Sequence, residues 1–136
     1  MKHTITVLLV LISAFSFAQD SIKVNVETPK IVSQLPLGEA ATFDTITIKF
    51  VELVGDSRCP EGVTCVWAGE VVVLVAVFKD GEKLERKKIT FNARGEAKDI
   101  YVSEDLTISG LKVTPYPVYE KKIALEDYKM ELYVTN

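Results

Sequence analysis

Histidine is nearly missing from this sequence. Of 136 residues only His3 carries an imidazole, and it lies in a leading segment that reads as an export signal. A mature chain without histidine has no Ser-His-Asp or Cys-His catalysis, no imidazole general base and no ordinary zinc or copper site. Cysteine is limited to two residues, Cys59 and Cys65. Once they are joined to each other, no thiol nucleophile is left. Glycine-rich phosphate loops are absent too, since Gly62, Gly69 and Gly81 stand apart from one another. Carboxylates are plentiful, but Glu104-Asp105 and Glu126-Asp127 are adjacent pairs. Neighbours on a strand point to opposite faces, so neither pair is a ready acid/base couple. The spacing of a helix–loop–helix calcium site is missing; a calcium ion held between loops would leave no mark in a sequence. No cofactor is expected.

An excess of positive charge is also lacking. The 16 Lys and Arg against 19 Asp and Glu give a net charge of −3, and loss of Lys2 with the leader would make it −4. A mildly acidic domain exerts no long-range pull on phosphate backbones, so nucleic acid is not an expected partner.

What is present begins with that leader. Lys2 and His3 open it, Ile5 to Phe17 is almost unbroken apolar sequence, and Ser16-Phe17-Ala18 places small residues at −3 and −1 of a cleavage site. The apolar run is too short for a bilayer span, which needs roughly 20 residues. Residues 1–18 are therefore expected to be a signal peptide and residues 19–136 one domain, with no membrane span after cleavage. No lipid-attachment cysteine follows the run. About 118 residues would remain, enough for one hydrophobic core.

No internal repeat or low-complexity tract interrupts the rest. Apolar residues recur in short runs punctuated by Gly, Pro, Asp and Asn, with no sustained helical period, and this predicts an all-β antiparallel sandwich of Ig-like or Greek-key type with about seven or eight strands. Ile22 to Val26 alternates as a half-buried leading strand. Leu35 to Phe43 is a weaker strand, interrupted by Pro36 and Gly38. In Thr45 to Val54, Ile46, Ile48 and Phe50 share a face. Val71 to Phe78 is apolar throughout and reads as a central strand covered on both sides. Asp80-Gly81 predicts a two-residue hairpin turn, and the charged run from Lys83 reads as an edge strand reaching Phe91. Further strands are expected at Ile100 to Val102, Leu106 to Thr114 and Tyr128 to Val134, with Pro115 and Pro117 closing the penultimate one. One helical turn is expected within Ile123 to Asp127.

The most informative segment runs from Asp56 to Glu70, DSRCPEGVTCVWAGE. Two cysteines in an exported chain are expected to be oxidised to each other, with Pro60 and Gly62 turning the chain between them. Five residues separate them, against two in the usual redox pair, and a zinc site would need further ligands. The reading is a structural disulfide closing a loop of about seven residues, worth roughly 2.4 kcal/mol on chain-entropy grounds.

Asp-Ser-Arg-Cys-Pro, a four-residue gap, then Cys-Val-Trp-Ala-Gly resembles the signature of an uncharacterised family of small exported bacterial proteins, many of them lipoproteins. The likeness extends to Leu37 to Glu39 and to Thr114 to Pro117, and so covers most of the mature chain. It implies a domain identity and an exported setting, not an activity. The missing lipid-attachment cysteine departs from the lipoprotein members.

Within the loop each residue has two readings. Trp67 caps the core beside the disulfide, or stands exposed as an aromatic platform for a sugar or peptide. Arg58 pairs with Asp56 or Glu70 or stacks on Trp67, or its fork grips a ligand carboxylate. Asp56 holds backbone amides at the loop start. Gly69 permits a bulge or a close approach. Asp56, Arg58, Trp67 and Glu70 form the candidate binding loop. A non-catalytic binding or envelope-associated module in the periplasm or medium is the leading expectation, its partner a protein or a small molecule and its oligomeric state open. An inhibitor of secreted peptidases is the alternative, and an enzyme using carboxylates alone is the third. The chain lacks the Asn-Pro-Thr-Thr-Gly type of loop used by sandwich-fold inhibitors of cysteine peptidases.

Overall fold

The computed structural model describes residues 31–136. The expected signal peptide and the leading strand at Ile22 to Val26 lie outside the described residues. Eight strands follow in order: β1 (Ile31–Pro36), β2 (Ala40–Phe43), β3 (Ile46–Asp56), β4 (Glu70–Lys79), β5 (Glu82–Asn92), β6 (Lys98–Val102), β7 (Thr107–Thr114) and β8 (Lys129–Thr135). A 3₁₀ turn at Leu125–Asp127 precedes β8, within the segment expected to hold one helical turn.

Two four-stranded antiparallel sheets result, ordered β1-β8-β7-β6 and β2-β3-β4-β5. The all-β sandwich expected from the short punctuated runs is what forms. Within each sheet, strands that follow one another in the chain pair as a meander. Only β1 departs from this, pairing with the last strand of the chain.

The weak candidate Leu35 to Phe43 is two strands on different sheets. Pro36 ends β1 and the chain changes sheet over Leu37–Glu39, where Leu37 N–H donates to the Tyr128 carbonyl (2.9 Å) and Gly38 N–H to the Phe50 carbonyl (2.7 Å). The Asp80-Gly81 turn is as its sequence requires, with φ of 50° and 82°. Lys79 pairs with Glu82 across it. β5, with its exposed charged residues, is an edge strand.

The core lies between the sheets. Ile46, Ile48 and Phe50 of β3 meet Met130, Leu132 and Val134 of β8, and Val71, Val73, Val75 and Val77 of β4 meet Ile108 and Val113 of β7, in one buried cluster. β4 corrects one expectation: its second face is not covered. Val72, Leu74 and Phe78 are only half-buried, because this antiparallel sheet packs one face on the core and leaves the other toward solvent. Where a strand is expected over Tyr128 to Val134, Met130, Leu132 and Val134 of β8 and Tyr128 just before it are buried together. Gly110 admits the Phe91 ring from the facing sheet; a Cβ there would come within 2.6 Å of Phe91 Cζ.

β3 carries two irregularities, between Phe50 and Glu52 and between Leu53 and Gly55. Each extra residue reverses which side of the strand faces inward. The inward face thus passes from Phe50 to Leu53, which packs on the core, and then to Asp56, whose side chain is 7% exposed. A carboxylate is placed inside the rim of the sandwich by this double step.

A rigid loop on a buried arginine anchor

The segment between β3 and β4 is a long hairpin loop with a closed stem. Ser57 N–H donates to the Glu70 carbonyl (2.8 Å), the Ser57 hydroxyl accepts from Glu70 N–H (3.2 Å), and Cys59 N–H donates to the Ala68 carbonyl (2.9 Å). Gly69 sits where the two arms touch. Its φ is +71°, and a Cβ there would overlap the Ser57 carbonyl, so only glycine fits. The close approach expected at this residue is present.

Cys59 and Cys65 are joined, with Cα atoms 5.9 Å apart. The loop is also docked sideways. Glu61 N–H donates to the Pro117 carbonyl and Tyr119 N–H to the Glu61 carbonyl, both at 2.9 Å. Two backbone bonds, the stem and the disulfide therefore hold the loop from three directions.

Arg58 is the anchor beneath it. Its side chain is 4% exposed and that of Asp56 7%. Nε donates to Asp56 Oδ1 (2.8 Å) and Nη2 to Oδ2 (2.6 Å), a two-point pairing in which charge assists each bond. Nη1 donates to the Val113 carbonyl (2.7 Å) and Nη2 also to the Pro115 carbonyl (3.0 Å). The guanidinium carbon lies 4.9 Å from the centroid of the Tyr116 ring, within range of a cation–π attraction. The Tyr128 hydroxyl donates to Asp56 Oδ2 at 3.2 Å. Burial, then the neighbouring Asp56 charge and this bond, raise the Tyr128 phenol above its ordinary pKa, with Arg58 opposing.

Asp56 and Arg58 are thus brought together but turned inward, and the ring beside Arg58 is Tyr116 rather than Trp67. No fork is left extended toward a ligand from the loop tip. Trp67 does not cap the core; it is 71% exposed, and Val66 beside it is fully exposed. Glu70 is exposed and serves the stem through its backbone. The candidate loop therefore divides into a buried base, Asp56 and Arg58, and an exposed apolar tip.

Sequence reasoning missed Tyr116, Tyr128 and the carbonyls of Val113 and Pro115. The Thr114 to Pro117 stretch stands out through its prolines and through resemblance, neither of which points to its carbonyls, and backbone acceptors have no residue type to announce them. Tyr119, 55% exposed, stands beside the loop at Gly62, where a Cβ would lie 3.6 Å from its own. Among the described residues no three His, Cys, Asp or Glu side chains gather into a cation site, and no helix is long and apolar enough to cross a membrane. The disulfide is compatible with an oxidising compartment. No protein-family model matches the chain, and no curated protein or solved structure shows significant similarity to it.

Proposed function

We propose that the protein is a non-catalytic binding module that works outside the cytoplasm, in the periplasm or the medium, and contacts a protein partner through the tip of the Cys59–Ala68 loop. The observation that carries this reading is the exposure of Trp67 and Val66 on a loop whose base is immobilised by Arg58. An apolar side chain held in water on a rigid support is costly for a monomer and useful to an interface. Tryptophan is over-represented among residues that dominate binding energy, and a loop ordered in advance loses little entropy on association. The signal-like leader and the disulfide both favour an exported setting.

The test is capture from an extracytoplasmic fraction by the immobilised, disulfide-bonded domain. A specific partner should be retained by the native loop and by Leu84→Ala, whose exposed side chain lies on the edge strand β5. It should be lost with Trp67→Ala and weakened with Val66→Ser. Capture that survives both loop substitutions would refute the proposal.

A second reading, an inhibitor of secreted peptidases, is favoured by one observation: every residue from Glu61 to Ala68 is exposed while the ends are clipped together. Such a loop can enter an enzyme cleft without unfolding. Nanomolar inhibition within a panel of secreted peptidases would establish it, and no block at micromolar protein would remove it.

A further inference from the structure

A cleft of about 290 Å³ opens beside the arginine anchor, apart from the loop tip. Val71, Phe91, Val113 and Tyr116 supply its apolar and aromatic walls, and Arg58, Arg94 and Lys112 its charged groups. No aspartate or glutamate lines it. Three cations therefore line the cleft, and the carboxylate partners of two of them, Asp56 and Glu131, lie outside that lining.

The state of each cation sharpens the picture. Arg58 has its charge balanced by Asp56, and four of its five N–H donors are engaged. Among the described residues the second N–H on Nη1 has no acceptor. Arg94 is exposed, and its guanidinium has no partner among the described residues. Its backbone is held in place, because Asn92 Oδ1 accepts from Arg94 N–H (3.1 Å) and Asn92 Nδ2 donates to Glu96 (2.9 Å), bracing the β5–β6 turn. Lys112 shares its charge with Glu131 at 3.4 Å and is otherwise half-exposed. Phe91 is held in place by the space that Gly110 leaves for its ring.

We propose that this cleft binds a small monocarboxylate with an apolar body. Its carboxylate is held by Arg94 and Lys112, and its body lies against the half-buried Tyr116 ring, over a floor of the buried Val71, Phe91 and Val113. The volume is at or below the lower limit of drug-sized pockets, which suits a small acid rather than a peptide segment. The requirement for a charged acceptor follows from the lining, since a neutral ligand would leave the guanidinium of Arg94 without its strongest partner.

The experiment is an amide-resolved NMR titration of the oxidised domain with phenylacetate, benzoate and isovalerate, and with neutral phenylacetamide as control. At least one acid should give saturable shifts at Asn92–Gly95 and at Lys112–Tyr116 in the millimolar range, with the amide at least tenfold weaker. Arg94→Gln and Lys112→Gln should each weaken binding several-fold, and together abolish it. Both side chains are largely in solvent, so the variants should melt as the native protein does. Trp67→Ala should leave the titration unchanged, which separates this site from the loop tip. Absence of saturable shifts with all three acids, equal binding of the amide, or indifference to the double variant would overturn the proposal.

Discussion

Arg58 donates from Nη1 to the carbonyl of Val113, 55 positions along the chain and 2.7 Å away. Val113 belongs to the sheet opposite the one in which Asp56 ends β3. One guanidinium therefore bonds to both sheets.

Arg58→Met should for that reason lower the unfolding free energy by about 3–5 kcal/mol, since it leaves the Asp56 carboxylate buried without its partner. Adding Asp56→Asn to that variant should return part of the loss. Urea denaturation of the two single variants and the double variant measures the coupling directly. A purely additive result would show that the pair does not act as a unit.

Loss of the disulfide should matter less. Cys59→Ala with Cys65→Ala should cost about 2 kcal/mol by the loop-entropy argument, with far-ultraviolet circular dichroism unchanged, because the loop lies outside the core. Identical melting of the oxidised and reduced native chain would show that the bond does not constrain it.

Gly69 and Gly81 offer a paired comparison. Both have positive φ, but a Cβ at Gly81 would meet open space while one at Gly69 would overlap the Ser57 carbonyl. Gly81→Ala should cost about 1–2 kcal/mol from backbone strain alone. Gly69→Ala should exceed it clearly and loosen the stem, which hydrogen exchange at Ser57 and Glu70 would register.

Tyr128 should ionise at a higher pH than a free phenol, because its phenol is raised by burial and by Asp56. A raised acid binds its proton more tightly in the folded state, so its contribution to stability is complete below about pH 10. The contribution then declines as pH rises past that value toward the folded pKa. Absorbance of tyrosinate against pH should show a delayed component that Tyr128→Phe removes.

Trp67 is the single tryptophan of the chain, so intrinsic emission reports on the loop tip alone. Acrylamide should quench it nearly as well in the folded as in the unfolded protein. Trp67→Ala should change stability by no more than about 0.5 kcal/mol, as for other surface substitutions.

Much of the fold was legible because local chemistry and burial agree. The alternation from Tyr128 to Val134, the shared face of Ile46, Ile48 and Phe50, and Asp80-Gly81 each specify their own geometry. The disulfide followed from compartment and count. The base of the loop was only half legible. Pairing of Arg58 with Asp56 was among the expectations, but its other acceptors are main-chain carbonyls that any residue could supply. The two bulges of β3, which aim Asp56 inward, have no side-chain signature at all. Residue type left Trp67 with two readings, a cap on the core or an exposed platform; the pinning of the loop by backbone bonds removes any need for it to be buried. The sheet change at Leu37–Glu39 was concealed because Pro36 and Gly38 signal an interruption without saying which sheet receives the chain.

From Cys59 to Gly69 no residue is fully buried, while the two positions that close the base, Arg58 and Gly69, cannot be exchanged without clash or loss of a buried bond. The sandwich is in this respect a display scaffold. Between the cysteines, Gly62 has φ +96° and the Glu61 backbone is docked on Pro117 and Tyr119, so foreign side chains should be tolerated at the exposed Val63 and Thr64 while the frame beneath keeps its shape.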